Sequence, residues 1–258
     1  MKLFHETLIK LYSKNEFKIC VLSDIHFSYR VTNQKLNSLR AKLERRKPDY
    51  IFMPGDIVDS NNMIENEAEE KRLLNWLESL GKIAPTLISE GNHDVYKKST
   101  KKERQKTGDK WQIYKNTGFV KKVNSLNNVF YLNNEVYEDD NIYVLGVSLS
   151  PKIYCLLREE KAAMKTSKTG ENIDEFLKTL KSIEKYTKNL PREKKKFALI
   201  HSPASLSEKV IKAELSEFDY LVSGHMHNGL IMPGVLNFGA VIVALLAHLA
   251  NSSPATPV

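Results

Sequence analysis

Five short apolar runs in this chain each end abruptly in residues that bind metals or carry protons, and this constrains the fold more than any other feature. Phe17–Leu22 leads into Ser23-Asp24-Ile25-His26. Asp49–Met53 leads into Pro54-Gly55-Asp56-Ile57-Val58-Asp59, and Thr86–Ser89 into Glu90-Gly91-Asn92-His93-Asp94. Phe197–Ile200 is followed by His201, and Tyr220–Val222 by Ser223-Gly224-His225-Met226-His227. The runs are rich in β-branched and aromatic residues and read as buried strands. Helical patterns separate them: Leu36, Leu39 and Leu43 share one face of a helix from Thr32 to Arg46 that stops before Pro48. Leu73, Trp76, Leu77 and Leu80 share another, with Gly81 as the stop. Strands alternating with helices predict an α/β fold with parallel pairing. In such sheets the carboxyl ends of the strands line the ligand crevice. Groups as distant in sequence as Asp24 and His227 are therefore expected to meet. Five of the seven histidines lie at these strand ends; His5 and His248 do not.

Each cluster taken singly has an ordinary explanation. Asp-X-His arises in surface turns, Gly-Asp is a common turn, Asn-His-Asp caps helices, and a lone His201 suits a hydrogen-bonded core. Their shared position after strands is what argues for a site. Asp24 and His26, two apart at an extended strand end, point to the same side. The donor set is nitrogen and oxygen without thiolate, which suits Mn, Fe, Zn, Co or Ni rather than a structural zinc knot. The two cysteines, Cys20 and Cys155, are too few for a disulfide framework, and Cys20 reads as a small core residue.

The ordered set Asp24-X-His26, Gly55-Asp56-X-X-Asp59, Gly91-Asn92-His93-Asp94, His201 and Gly224-His225-X-His227 resembles that of the calcineurin-like metallophosphoesterases, from about Phe17 to His227. The resemblance implies a metallophosphoesterase β-sandwich of two mixed sheets flanked by helices. It implies two divalent metal ions: Asp24, His26 and His227 would hold one, Asn92, His201 and His225 the other, and Asp56 would bridge them. His93 would contact the substrate phosphate and protonate the leaving group, Asp94 would orient His93, and Asp59 would lie behind the ligands. Histidine suits the acid role because an imidazole ordinarily titrates near neutral pH. Two divalent ions carry more charge than Asp24, Asp56 and a hydroxide cancel, which favours an anionic substrate. The expected activity is hydrolysis of phosphate mono- or diesters, with a small phosphate ester as partner. Glu90 and Asp94 flank Gly-Asn-His where protein Ser/Thr phosphatases usually carry Arg and Glu, so the chain looks more like a bacterial stand-alone phosphohydrolase. A non-catalytic scaffold that keeps the fold is the alternative from another class, although such proteins typically lose a ligand or the acid histidine. A nuclease or nucleic-acid binder is the other, motivated by a formal net charge of +8.

Composition adds limits. With 41% hydrophobic and 27% charged residues the chain is neither collagenous, coiled-coil nor disordered, and it is expected to form a single domain over residues 1–258. Met1–Glu6 leads into a polar stretch without an apolar signal core, which favours the cytoplasm. Lys97–Lys106 and Arg192–Lys196 read as solvated charge runs. Trp111, Ile113 and Tyr114 suggest a short helix or ordered loop, and the stretch Tyr96–Lys122 could overhang the site. Three strands with antiparallel character are predicted at 129–132, 135–138 and 142–147. Ile173, Phe176, Leu177, Leu180 and Ile183 predict a helix, and Leu206, Val210 and Ile211 another. From Asn228 to Val258 no Asp, Glu, Lys or Arg occurs. Three readings of this apolar tail stay open: buried strands at Leu230–Met232 and Val241–Val243, a truncated or out-of-frame terminus that leaves the second sheet incomplete, or an anchor. The apolar run Phe238–Ala247 is shorter than the roughly 20 residues a spanning helix needs, so a membrane span is not expected.

Overall fold

The computed structural model describes residues 17–108, 111–149, 169–203 and 213–225. In chain order it contains β1 (Ile19–Val21), α1 (Asn33–Arg46), β2 (Tyr50–Pro54), α2 (Glu67–Gly81), β3 (Thr86–Ser89), a 3-10 turn (His93–Val95), β4 (Tyr96–Lys98), α3 (Lys101–Thr107), β5 (Trp111–Ile113) and α4 (Thr117–Asn124). Then follow β6 (Val129–Tyr131), β7 (Glu135–Glu138), β8 (Ile142–Val147), α5 (Thr169–Thr187), β9 (Lys195–Ile200) and β10 (Tyr220–Val222).

The helices form where the sequence supplies both caps and an apolar face. The Thr32 side chain accepts from Lys35 N to start α1, and Lys47 ends it in the left-handed region at φ 47°, just before Pro48. Asn66 caps α2 by accepting from Ala68 N and Glu69 N, and Glu67, Glu69 and Glu70 complement its first turn. Leu36, Leu39 and Leu43 of α1 and Leu73, Trp76, Leu77 and Leu80 of α2 bury their side chains against one sheet.

That sheet has the order β1-β2-β3-β6, and its described pairs are all parallel. A second sheet has the order β10-β9-β8-β7; it is mixed, because β7 and β8 pair antiparallel while β8, β9 and β10 run parallel. Strand alternation sends neighbouring side chains to opposite faces, and here each face has its own layer. Ile51 and Met53 of β2 meet the helices, whereas Tyr50 and Phe52 turn inward. Inward too are Ile142 and Val144 of β8 and Phe197 and Leu199 of β9, so the two sheets share a core. Phe52 and Phe197 meet there edge to face at 5.2 Å. Each such fully buried side chain contributes roughly 1.5–3 kcal/mol. On the far face, Leu145, Val147, Ala198 and Ile200 pack with Ile183 of α5. The result is a layered helix–sheet–sheet–helix sandwich. All five residues of β2 are buried, as expected of a parallel strand covered on both faces.

The middle of the chain departs from the reading of its sequence. Residues 111–113 form a strand, paired antiparallel with β4, rather than a helix or loop. The charged stretch before it holds α3, nucleated by a capping box between Thr100 and Glu103. Of the three strands read as one antiparallel patch, only β7 and β8 pair that way; β6 joins the first sheet. Asn134, at φ 54°, lies where the chain crosses to the second sheet. The run at 192–196 is not all loop: Lys195 and Lys196 open β9, Lys194 pairs with Glu138 and Lys196 with Asp219. The helix expected near Leu206, Val210 and Ile211, Cys155, and the whole tail after Asn228 lie outside the described residues.

Candidate metal centre

The carboxyl ends of β1, β2, β3, β9 and β10 meet, and eight of the nine residues read from the sequence as site residues come together there. His227 lies outside the described residues. Backbone hydrogen bonds tie the loops into register: Asp24 N to Gly55 O at 3.3 Å, His26 N to Asp56 O at 3.0 Å and Gly224 N to His201 O at 3.0 Å. Four of these residues are held in the left-handed region that non-glycine residues rarely adopt: Asp24 (φ 56°), His26 (44°), Asp56 (53°) and His225 (71°). Such strain persists only where surroundings over-determine it, typically at functional sites. Close glycines make it possible. A Cβ on Gly91 would overlap the backbone N and Oδ1 of Asp56, and one on Gly224 would overlap Ser23 Oγ. Gly55, at φ +84°, leaves room for the His201 ring.

Asp56 is central and 1% exposed. Its Oδ1 accepts from His93 N at 2.8 Å. Its Oδ2 is buried and takes no hydrogen bond among the described residues, yet it lies 3.2 Å from His201 Nε2 and 3.4 Å from His26 Nε2. Burial pushes the Asp56 carboxyl up, but His201, His93 and His26 outweigh it and hold the group below the usual carboxylate range.

His201 is fully buried. Its Nδ1 donates to Pro54 O at 2.8 Å, because a carbonyl can only accept. In the neutral ring this leaves a lone pair on Nε2, which faces Asn92 Oδ1 at 3.1 Å, His225 Nδ1 at 3.2 Å and Asp56 Oδ2 at 3.2 Å. Burial lowers the His201 pKa, but Asp56 reverses this and drives it up to about 9. The Asp56 carboxylate thus favours positive charge beside it.

Asp24, His26 and Asp56 form one cluster whose ligand atoms lie within 4.8 Å of one another, and Asp56, His201 and His225 form a second. Asp56 belongs to both. These are candidate metal-binding clusters, and the donor chemistry fits: a carboxylate oxygen without a hydrogen bond among the described residues, an amide oxygen and imidazole nitrogens converge. Asp24 is fixed by Ser23 Oγ at 2.6 Å and by His225 N at 3.0 and 3.1 Å. Ser23 is a supporting residue that the sequence reading did not single out.

His93 lies against His26, ring centroids 4.5 Å apart and nearly perpendicular. His93 and Asp94 each have close backbone partners among the described residues. The His93 Nδ1 meets the carbonyl oxygen of Asp59 at 2.6 Å. Asp94 Oδ1 accepts from Ile57 N and Val58 N at 2.9 and 3.1 Å, and Oδ2 from Gly91 N at 2.8 Å. It stitches the loop after β2 to the loop after β3. Burial and the charge of Asp56 push the Asp94 carboxyl upward against those three N–H groups. Neighbouring Glu90, 4% exposed, is raised by burial to about 7, with Lys115 opposing. Beside them lies a cavity of about 470 Å³ whose walls include Asn61, Phe119 and Tyr131.

The model of the calcineurin-like phosphoesterase family matches residues 17–229. The chain belongs to that family. An uncharacterized metallophosphoesterase of Campylobacter jejuni is 23% identical over 225 residues, covering 85% of this chain and 46% of the relative. A transmembrane protein with metallophosphoesterase domain from Danio rerio is 32% identical over 87 residues, 33% of this chain and 18% of that protein. The chain thus spans less than half the length of these curated relatives. Among solved structures, phosphopantetheinyl hydrolase from Mycobacterium tuberculosis aligns at TM-score 0.45 and 12% identity, over 86% of this chain and 87% of that one. Among the described residues, no helix is long and apolar enough to cross a membrane.

Proposed function

We propose that this phosphoesterase holds two divalent cations, drawn from Mn, Fe, Zn, Co and Ni, and hydrolyses phosphate mono- or diesters. The sharing of Asp56 between two ligand clusters carries this reading. Asp24 and His26 would serve one cation, Asn92, His201 and His225 the other, with Asp56 between them and His227 completing the first set. A bound pair of divalent cations supplies Lewis acidity, which makes water a better nucleophile and offsets charge on the phosphoryl group in transit.

The chain's own groups do the rest. Pro54 O fixes the His201 tautomer so that Nε2 points at the centre. Asp59 O fixes His93 in the same manner, and Nε2 is the nitrogen assigned to the substrate. Protonated, that nitrogen donates to a phosphate oxygen and then to the departing alkoxide; once neutral, it recovers a proton from solvent. Asp94 holds the Asn92–His93 turn against the Asp56 loop, so ligand and acid move as one unit. The test is hydrolysis of aryl phosphate mono- and diesters by the Mn-loaded protein. His93→Ala should keep near-normal metal content while turnover falls by roughly 10²–10⁴, the usual contribution of a positioned acid. Wild-type turnover without His93 would refute the assignment.

A further inference from the structure

The chain's charge is not spread evenly. Ten of its 39 Lys and Arg residues and two of its 31 Asp and Glu residues fall within residues 97–122. That stretch therefore holds a formal +8, equal to the net charge of the entire chain, and the remainder is neutral. Six of those cations, Lys97, Lys98, Lys101, Lys102, Arg104 and Lys106, sit on a built projection, where Lys97 and Lys98 pair with Glu65 and Asp59. β4 and β5 pair as an antiparallel ribbon with α3 between them. The helix buries none of its residues. A seven-residue helix without core contacts is marginal in water, yet this one is capped at both ends, by the Thr100–Glu103 box and by Gly108 in the left-handed conformation. Its cations Lys101, Lys102, Arg104 and Lys106 make no ion pair among the described residues. Core packing does not explain so carefully capped a helix.

The ribbon is rooted at the metal centre. Tyr114 N donates to Val95 O at 2.8 Å, two residues from His93. Lys98 Nζ reaches the Asp59 carboxylate at 2.6 Å, and the Asp59 carbonyl holds the His93 ring. Beside the basic helix, Ile113 is 53% and Tyr114 37% exposed.

We infer that this projection is a binding surface for single-stranded nucleic acid, with α3 contacting backbone phosphates and Tyr114 offering its ring to a base. Interleaved cations and an exposed aromatic are what single strands require, because stacking tolerates any base. A duplex presents no open base face. A lipid surface calls for a helix with an apolar side, and α3, Lys-Lys-Glu-Arg-Gln-Lys-Thr, has no apolar residue. The claim goes beyond the hydrolytic reading and does not depend on it, since strand binding needs no metal.

Binding of a fluorescent mixed-sequence oligonucleotide, followed by anisotropy with the full chain in chelator, tests the surface. Four phosphate contacts give a salt slope of about −2.8 for a single strand, so affinity should fall roughly 50-fold between 50 and 200 mM salt. K101Q/K102Q/R104Q/K106Q should flatten that slope by the same amount; these side chains are exposed and unpaired, so circular dichroism should be unchanged. Tyr114→Ala should weaken binding roughly 10-fold and leave the slope intact. The inference is overturned if the fourfold variant binds with wild-type affinity and slope. It is equally overturned if vesicles rich in phosphatidylserine bind while the oligonucleotide does not. Failure of ester hydrolysis in the preceding section would leave these binding results untouched.

Discussion

Asp56→Asn removes one charge and almost nothing else. The amide retains an oxygen for the Oδ1 position, so the 2.8 Å bond from His93 N survives and the loops keep their register. The second oxygen, which takes no hydrogen bond among the described residues and faces His201 and His26 at 3.2 and 3.4 Å, becomes an NH2 group. At such separations a unit charge pair is worth about 5 kcal/mol with an effective dielectric of 20. A divalent cation carries twice that charge, and the remaining ligands and solvent recover part of the loss. Taking about 4 kcal/mol as a floor, affinity for at least one cation should drop by roughly a thousand-fold. The metal-free fold should persist, because a buried carboxylate has been exchanged for a neutral isostere. Metal content after dialysis, calorimetric titration with Mn, and aryl phosphate turnover read the outcome together. Should the variant keep two ions per chain and turn over within tenfold of wild type, Asp56 does not join two cations and the centre has been misread.

Three further outcomes follow from the same coordinates. Gly91→Ala places a methyl against Asp56 N and Oδ1; overpacking of this kind costs about 1–3 kcal/mol, so the urea midpoint should fall and metal content with it. Asp94→Ala removes the acceptor for three backbone N–H groups; metal retention and loop protection in hydrogen exchange should both decline, whereas an orienting role would change only the pH profile. At the opposite end of the sandwich, Asp139 accepts from Tyr50, Tyr137, Asn141 and Ile142. Burial pushes its carboxyl up, but those bonds prevail and lower it. Its contribution is present above the ordinary carboxylate range and disappears as pH falls through the lowered pKa. The stability gap between wild type and Asp139→Asn, measured by urea unfolding, should accordingly narrow from pH 6 down to pH 2.

Much of this was legible in the sequence, for reasons that differ between regions. β3 and β10 coincide with the runs Thr86–Ser89 and Tyr220–Val222, and α1 and α2 lie where apolar spacing and terminal signals agreed. The site residues could be found because each follows a strand, and parallel topology brings those ends together. The loop-stitching bonds of Asp94 were hidden because sequence adjacency to His93 says nothing of its partners Ile57 and Val58, 37 and 36 residues away. The hairpin of β4 and β5 was hidden because strands of three residues carry no period worth counting. The Thr-X-X-Glu pattern at Thr100–Glu103 did announce α3, although the surrounding lysines made the stretch look like a solvated loop. Assignment of β6 and β7 to different sheets depends on a change of direction at Asn133–Asn134 that alternation alone cannot reveal.

The centre draws Asp24, His26, Asp56 and Asn92 from one sheet and His201 and His225 from the other. A bound cation pair would therefore work as a rivet through both plates of the sandwich. Chelation should loosen the seam between them before either plate frays. A protease should therefore digest the metal-stripped protein faster than the loaded one.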